Sequence, residues 1–167
     1  YLRSPMQMEW LAPMMPITVS LIEQRSRGRI YLNSADPFEQ PVIDDGMLQH
    51  PDDIAAMTTA LRFTHDLVQH DSMQAFFGRL LQPAPDEDWA DYARSTYDSY
   101  HHGVGTCMMG PAANRASVVD NKLRMHGLAN LYVADASIMP TITHANTNVT
   151  AIMIGERVSD FVRERGG

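Results

Sequence analysis

Residues 127–160 read GLANLYVADASIMPTITHANTNVTAIMIGERVSD, and the reading of this stretch decides the fold. Leu131-Tyr132-Val133-Ala134 is a short apolar run rich in strand formers, closed by Asp135. Such a run is expected to be a strand buried on both faces, as in a parallel sheet. A polar residue just past the C-terminal end of that strand sits where open α/β sheets bind ligands. Pro140 then ends regular structure. From Val149 to Val162 the pattern turns helical: Val149, Ile152, Met153, Glu156, Ser159 and Asp160 step by three or four. Ile154, Val158, Phe161 and Val162 widen the apolar side. Asn148 or Thr147 is the expected N-cap. The unpaired N–H groups of the first turn favour an anionic or electron-rich partner.

Working outward, residues 99–110 read SYHHGVGTCMMG, with adjacent histidines before a glycine turn. In extended backbone His101 and His102 face opposite ways, so at most one enters a given pocket. These blocks together resemble the C-terminal part of the glucose–methanol–choline (GMC) oxidoreductases, which are FAD-dependent alcohol oxidases and dehydrogenases. The resemblance is carried by His102-Gly103-Val104-Gly105-Thr106, Val118-Val119-Asp120, Gly127 to Ser137, Pro140, and Asn146-Thr147-Asn148 before the helix. Upstream, Ser26 to Leu32, Ser34-Ala35-Asp36-Pro37 and Pro41 to Leu48 also match, so it covers nearly the whole chain.

The resemblance implies an α/β fragment with two parts. Residues 1–100 are the expected substrate-binding part, an antiparallel sheet with helices. Residues 101–167 are the expected returning strand and helix of a Rossmann-like FAD domain, carrying the active-site residues. His102, immediately before the G-x-G-T turn, falls on the family's catalytic histidine; a satisfied core histidine is the bland alternative. Some members pair two histidines, but the partner position counted from Pro140 falls on Asn146 rather than His144. Asp135 and Ala136 are implied FAD contacts, although an Asp after a strand often only caps a turn. Asn148, Val149 and Thr150 would bring the helix N-terminus to the flavin pyrimidine edge. The implied reaction is oxidation of an alcohol to an aldehyde or ketone. His102 takes the hydroxyl proton, Asn146 hydrogen-bonds the same oxygen, and hydride leaves for flavin N5. The implied partners are an alcohol and an electron acceptor, oxygen or another. The same architecture also hosts hydroxynitrile lyases and a photodecarboxylase, and a catalytically silent interaction module is a third reading.

The chain's 167 residues suit one domain, and its hydrophobic share of 44% is ordinary for a globular protein. A net charge of -7 argues against nucleic acid and anionic membrane surfaces. No apolar run approaches the roughly 18–20 residues of a membrane helix. A single cysteine, Cys107, excludes an internal disulfide. A FAD enzyme needs a cradle for the pyrophosphate, usually G-x-G-x-x-G between a strand and a helix. Here Met108 stands where the third glycine of the Gly103-Gly105 run would fall. The expectation is therefore a C-terminal fragment whose partner is an N-terminal FAD-binding portion. No metal is expected: His101, His102, His126 and His144 match no ligand spacing. A serine hydrolase is disfavoured because no G-x-S-x-G elbow is present.

The remaining expectations concern the scaffold. Met6, Met8 and Trp10, then Ile17, Val19 and Leu21, alternate as strands do, with a turn at Ser26-Arg27-Gly28 and a strand at Arg29-Ile30-Tyr31-Leu32. Residues 34–47 read as loop. Pro51-Asp52-Asp53 opens a helix with a stripe of Ile54, Met57, Leu61, Leu67 and Val68. Its methionines are core filler, and His50, His65 and His70 are surface or capping residues. Asp86 is the expected cap of a second helix whose face runs Trp89, Tyr92, Ala93, Thr96, Tyr97 and Tyr100.

Overall fold

The computed structural model describes residues 15–78, 80–84 and 86–166. The described residues form strands β1 (Arg29–Tyr31) and β2 (Val42–Asp44) and helices α1 (Pro51–Gln69), α2 (Trp89–Thr96) and α3 (Asn148–Gly166). Short 3₁₀ turns stand at Asp71–Met73 and Ala136–Ile138.

β1 and β2 pair antiparallel, with Arg29 opposite Asp44 and Tyr31 opposite Val42. The strand at 29–31 is the expected one, but residues 34–47 are not all loop, because β2 lies within them. The segment entering β1 runs directly against the segment leaving β2. A Cβ at Gly28 would meet the carbonyls of Asp44 and Asp45, and one at Gly46 (φ +61°) would meet that of Arg27. Ser26 to Gly28 is not the expected turn; glycine is required at 28 by close backbone approach. Ile17, Val19 and Leu21 form no strand. Alternation shows which apolar residues share a side, but a strand also needs a partner backbone. Met6, Met8 and Trp10 lie outside the described residues.

α1 begins as its sequence dictates, with Pro51 at its first position and Asp52 and Asp53 in its first turn. His50 is its N-cap and accepts from the Asp52 amide through Nδ1 at 3.2 Å, and His70 caps the following 3₁₀ turn. Asp53 reaches further: 3% exposed, it accepts the backbone N–H groups of Arg25 (2.9 Å) and Ser26 (2.7 Å). Ser26 Oγ in turn accepts from the His50 amide at 2.9 Å. Burial pushes the Asp53 carboxyl up, but the hydrogen bonds from Arg25 and Ser26 outweigh it and hold the group below the usual carboxylate range. Ile54 and Val68 are buried, while Leu67, expected inside, is 47% exposed.

α2 packs against α1 through Trp89, whose ring stands T-shaped to that of His65 at 5.3 Å and takes the Arg62 guanidinium over it at 5.7 Å. Its N-cap is Asp88 and not the expected Asp86, because Asp88 Oδ1 accepts from both Ala90 and Asp91 amides. Glu87 instead accepts from the Ala84 amide. The helix ends at Thr96, so Tyr97 and Tyr100 leave the expected aromatic face and are exposed.

The hydrophobic core lies in the C-terminal half: Val119, Leu123, Ile138, Met139 and Ile154, flanked by Val104, Met109, Tyr132, Val133, Val158 and Phe161. Leu131 to Ala134 is not the expected buried parallel strand. Tyr132 makes one antiparallel bridge to Arg124, the Met125 amide donates to Leu131 O and the Val133 amide to Leu123 O. The intervening turn uses positive φ at Gly127 and Asn130. Neither the burial nor the pairing is as expected: Leu131 is 44% exposed, Tyr132 to Ala134 are half-buried, and the neighbour is the preceding segment. Asp120 steadies this hairpin by gripping Arg124 at 2.6 and 2.8 Å. Partial burial raises the Asp120 carboxyl, but the Arg124 guanidinium and the Arg124 and Lys122 amides bring it below its ordinary value.

α3 forms as expected but turns a different side inward. Ile154, Val158 and Phe161, one i, i+4, i+7 stripe, meet the core. Val149, Ile152 and Met153 are 75%, 59% and 55% exposed. The apolar circumference of this helix is wider than the single interface available to it within the described residues.

Candidate active site

The His102 segment is held by backbone pairing. The Cys107 and Met109 amides donate to Ser137 O (3.0 Å) and Ile138 O (2.8 Å), and the Val118 amide donates to Met108 O (2.8 Å). This fastens the chain after the glycine turn onto the 3₁₀ turn that follows Asp135. Gly105 adopts φ +88°, a left-handed conformation that suits glycine. His102 is thereby brought to the N-terminal end of α3. Its Nδ1 lies 3.1 Å from Thr147 Oγ1, across 45 residues of sequence. The Tyr100 and His102 rings stand T-shaped to each other, their centroids 5.3 Å apart.

The neighbouring histidines separate clearly. His101 has φ +61°, is exposed, and donates its backbone N–H to Ser99 Oγ. His144 is exposed, with Nε2 3.7 Å from Glu23 Oε2. His126 uses Nε2 on the Gly110 carbonyl at 3.0 Å. Asn146 is exposed and immediately precedes Thr147, so it shares this end of α3 with His102.

Asp135 is exposed and caps the turn Ala136–Ile138, its Oδ1 accepting from the Ser137 amide at 2.8 Å. Ala136 is half-buried. Asn148 and Val149 are exposed and Thr150 half-buried in the first turn of α3, whose ladder opens with the Ala151 amide donating to Thr147 O. Sequence reasoning named Thr147 only as a helix cap. Its hydroxyl instead spans to His102, and the one signal available was a side-chain oxygen lying between the two asparagines of the triplet.

Residues 24–155 match the GMC oxidoreductase family, and the chain belongs to that family. It is 37% identical over 151 residues to oxygen-dependent choline dehydrogenase 1 of Chromohalobacter salexigens, covering 88% of this chain and 27% of that protein. It is 41% identical over 143 residues to an alcohol dehydrogenase [acceptor] of Pseudomonas putida, covering 83% of this chain and 25% of that protein. Among solved structures, a variant of Aspergillus oryzae RIB40 formate oxidase, studied for its FAD modification, superimposes with a TM-score of 0.71 at 29% identity. That likeness covers 83% of this chain and 25% of the oxidase. The chain thus spans about a quarter of the length of these relatives. The architecture is the α+β C-terminal region of a GMC oxidoreductase, and the group at issue in that family is FAD, which the formate oxidase carries.

Two features of this chain fit that group. Ser137 Oγ, directly after Asp135 and Ala136, is buried with no hydrogen-bond partner among the described residues. Close by in sequence, Val149 stands 75% exposed on the first turn of α3. One is a polar atom wanting a partner; the other marks a helix start open to a ligand.

Proposed function

We propose that this chain supplies the proton-handling half of an FAD-dependent alcohol oxidoreductase. The observation that carries the reading is the meeting of His102 with the start of α3, where Asn146 stands. In this reading residues 1–100 wall the substrate pocket. Residues 101–167 complete the flavin domain, whose dinucleotide cradle belongs to an N-terminal FAD-binding portion. The substrate class is a small alcohol, and oxygen or another acceptor takes the electrons.

His102 turns Nδ1 toward Thr147, so Nε2 is the nitrogen left for the substrate hydroxyl. It accepts the hydroxyl proton, a general-base contribution typically worth about 10²–10⁴-fold. Asn146 donates its amide N–H to the same oxygen as negative charge develops there, and donors already in place at that point stabilise the transition state. FAD, when bound, supplies the acceptor for the electron pair leaving the carbinol carbon. Asp135 and Ala136 would hold its ribityl and pyrophosphate side. Asn148, Val149 and Thr150 would present the positive end of α3 to the isoalloxazine pyrimidine edge.

The test is anaerobic. In the FAD-loaded enzyme containing this chain, at least one member of a panel of aliphatic, aromatic and quaternary-ammonium alcohols bleaches the yellow flavin band under argon. Failure of the whole panel overturns the reading. A companion expectation concerns residues 1–167 alone. They lack the pyrophosphate motif and expose Phe38, Phe63, Phe76 and Val149 at 70% or more. Expressed alone they are expected to be insoluble or colourless; a soluble product carrying stoichiometric flavin would contradict this.

A further inference from the structure

We propose that Thr147 is a positioning residue for His102. Its hydroxyl oxygen accepts the Nδ1–H of the imidazole and holds the ring in the tautomer whose Nε2 can take a proton. The inference rests on the proposed reading of His102 as the proton acceptor and adds the group that makes it one.

A neutral imidazole carries one N–H and one free lone pair. If Nε2 is to accept the hydroxyl proton, the hydrogen must sit on Nδ1, and the atom facing Nδ1 must accept. That atom is Thr147 Oγ1, at 3.1 Å. Its position is well determined. Thr147 is 7% exposed, and its carbonyl accepts the Ala151 amide at 2.9 Å, which anchors its backbone to α3. A β-branched side chain on that anchored backbone has few χ1 choices. Tyr100, T-shaped to the same ring at 5.3 Å, restrains it from two residues upstream.

Thr147→Val keeps the shape and replaces the oxygen by a methyl group. At a site this enclosed no room is created for water, so Nδ1–H loses its acceptor. The neutral ring then shifts toward the Nε2–H form, which cannot accept a proton.

The experiment uses the FAD-loaded enzyme containing this chain. Thr147→Val is expected to slow anaerobic flavin reduction by an alcohol about 10–100-fold, the range that follows from losing one buried hydrogen bond. Thr147→Ser retains the oxygen and is expected to remain within about threefold of the parent. In a His102→Ala background Thr147→Val should cost nothing further, because the ring it positions is gone. A second readout does not depend on turnover. In ¹⁵N-histidine-labelled enzyme, with the His102 signals identified by their loss in His102→Ala, Nδ1 is expected to be protonated and Nε2 free. Thr147→Val should move the neutral ring toward protonation at Nε2. If His102→Ala reduces its flavin at the parent rate, the proposed function fails. If His102→Ala is slow but Thr147→Val is not, or Nδ1 of the parent enzyme is unprotonated, positioning by Thr147 alone fails. The parent spectrum decides this even if Thr147→Val does not take up FAD.

Discussion

His102→Ala is expected to slow anaerobic flavin reduction by about 10²–10⁴-fold, the usual range for loss of a general base. That corresponds to about 3–5 kcal/mol of barrier. Asn146→Ala leaves the proton acceptor in place and deletes one donor, so its loss is smaller. The two side chains are assigned to one substrate oxygen, so their effects are coupled. The double variant should lose less than the product of the single losses, because a donor matters less once the alkoxide no longer forms. His144→Ala is the control. It lies exposed beside Glu23, with its Nε2 3.7 Å from that carboxylate, and should retain most activity. Stopped-flow reduction of all four variants under argon checks the set. A slow His144→Ala beside a normal Asn146→Ala would show that the triplet had been counted wrongly.

Asp53→Ala should be the most destabilising change on the scaffold, by about 2–4 kcal/mol, since each hydrogen bond to a charged group is worth about 1.5–3. Its carboxylate is 3% exposed and serves two amides, those of Arg25 and Ser26, which truncation would leave unpaired. It also places negative charge in the first turn of α1, where the helix dipole favours it. Exchange of the Arg25 and Ser26 amide hydrogens should accelerate, and unchanged protection there would refute the assignment. The pH dependence follows from the direction of the shift. The folded Asp53 carboxyl lies below its ordinary value, because the amide hydrogen bonds outweigh the opposing effect of burial. Its stabilisation is therefore complete above the unfolded value of about 3.9 and is lost as pH falls through the lower folded one. In Asp53→Ala this part of the acid sensitivity should vanish.

Much of the architecture was legible locally. Pro51 followed by Asp52 and Asp53 marks the start of α1 through a missing donor and the helix dipole, both effects of a single turn. The apolar period from Val149 onward marks α3 in the same way. His102 and Asn146 were nominated by short motifs, each readable within a few residues.

Other features were set by partners distant in sequence. Period and capping preferences do not identify which side of α3 meets a core. Ile154, Val158 and Phe161 face inward because Val119, Leu123, Ile138 and Met139 are there to receive them. Leu131 to Ala134 reads as a strand buried on both faces, yet Leu131 is exposed and the antiparallel neighbour follows from the turn at Gly127 and Asn130. Asp53 reads as a first-turn acid, but its carboxylate is claimed by amides 28 and 27 residues upstream. Thr147 reads as a cap, and its hydroxyl is claimed by a histidine 45 residues away. The sequence by itself determined the starts of α1 and α3 and the family, and it nominated the candidate pair. The tertiary structure alone decided which side chains share their hydrogen bonds, because a propensity acts over one turn whereas a hydrogen bond needs both partners brought to about 3 Å by everything packed between them.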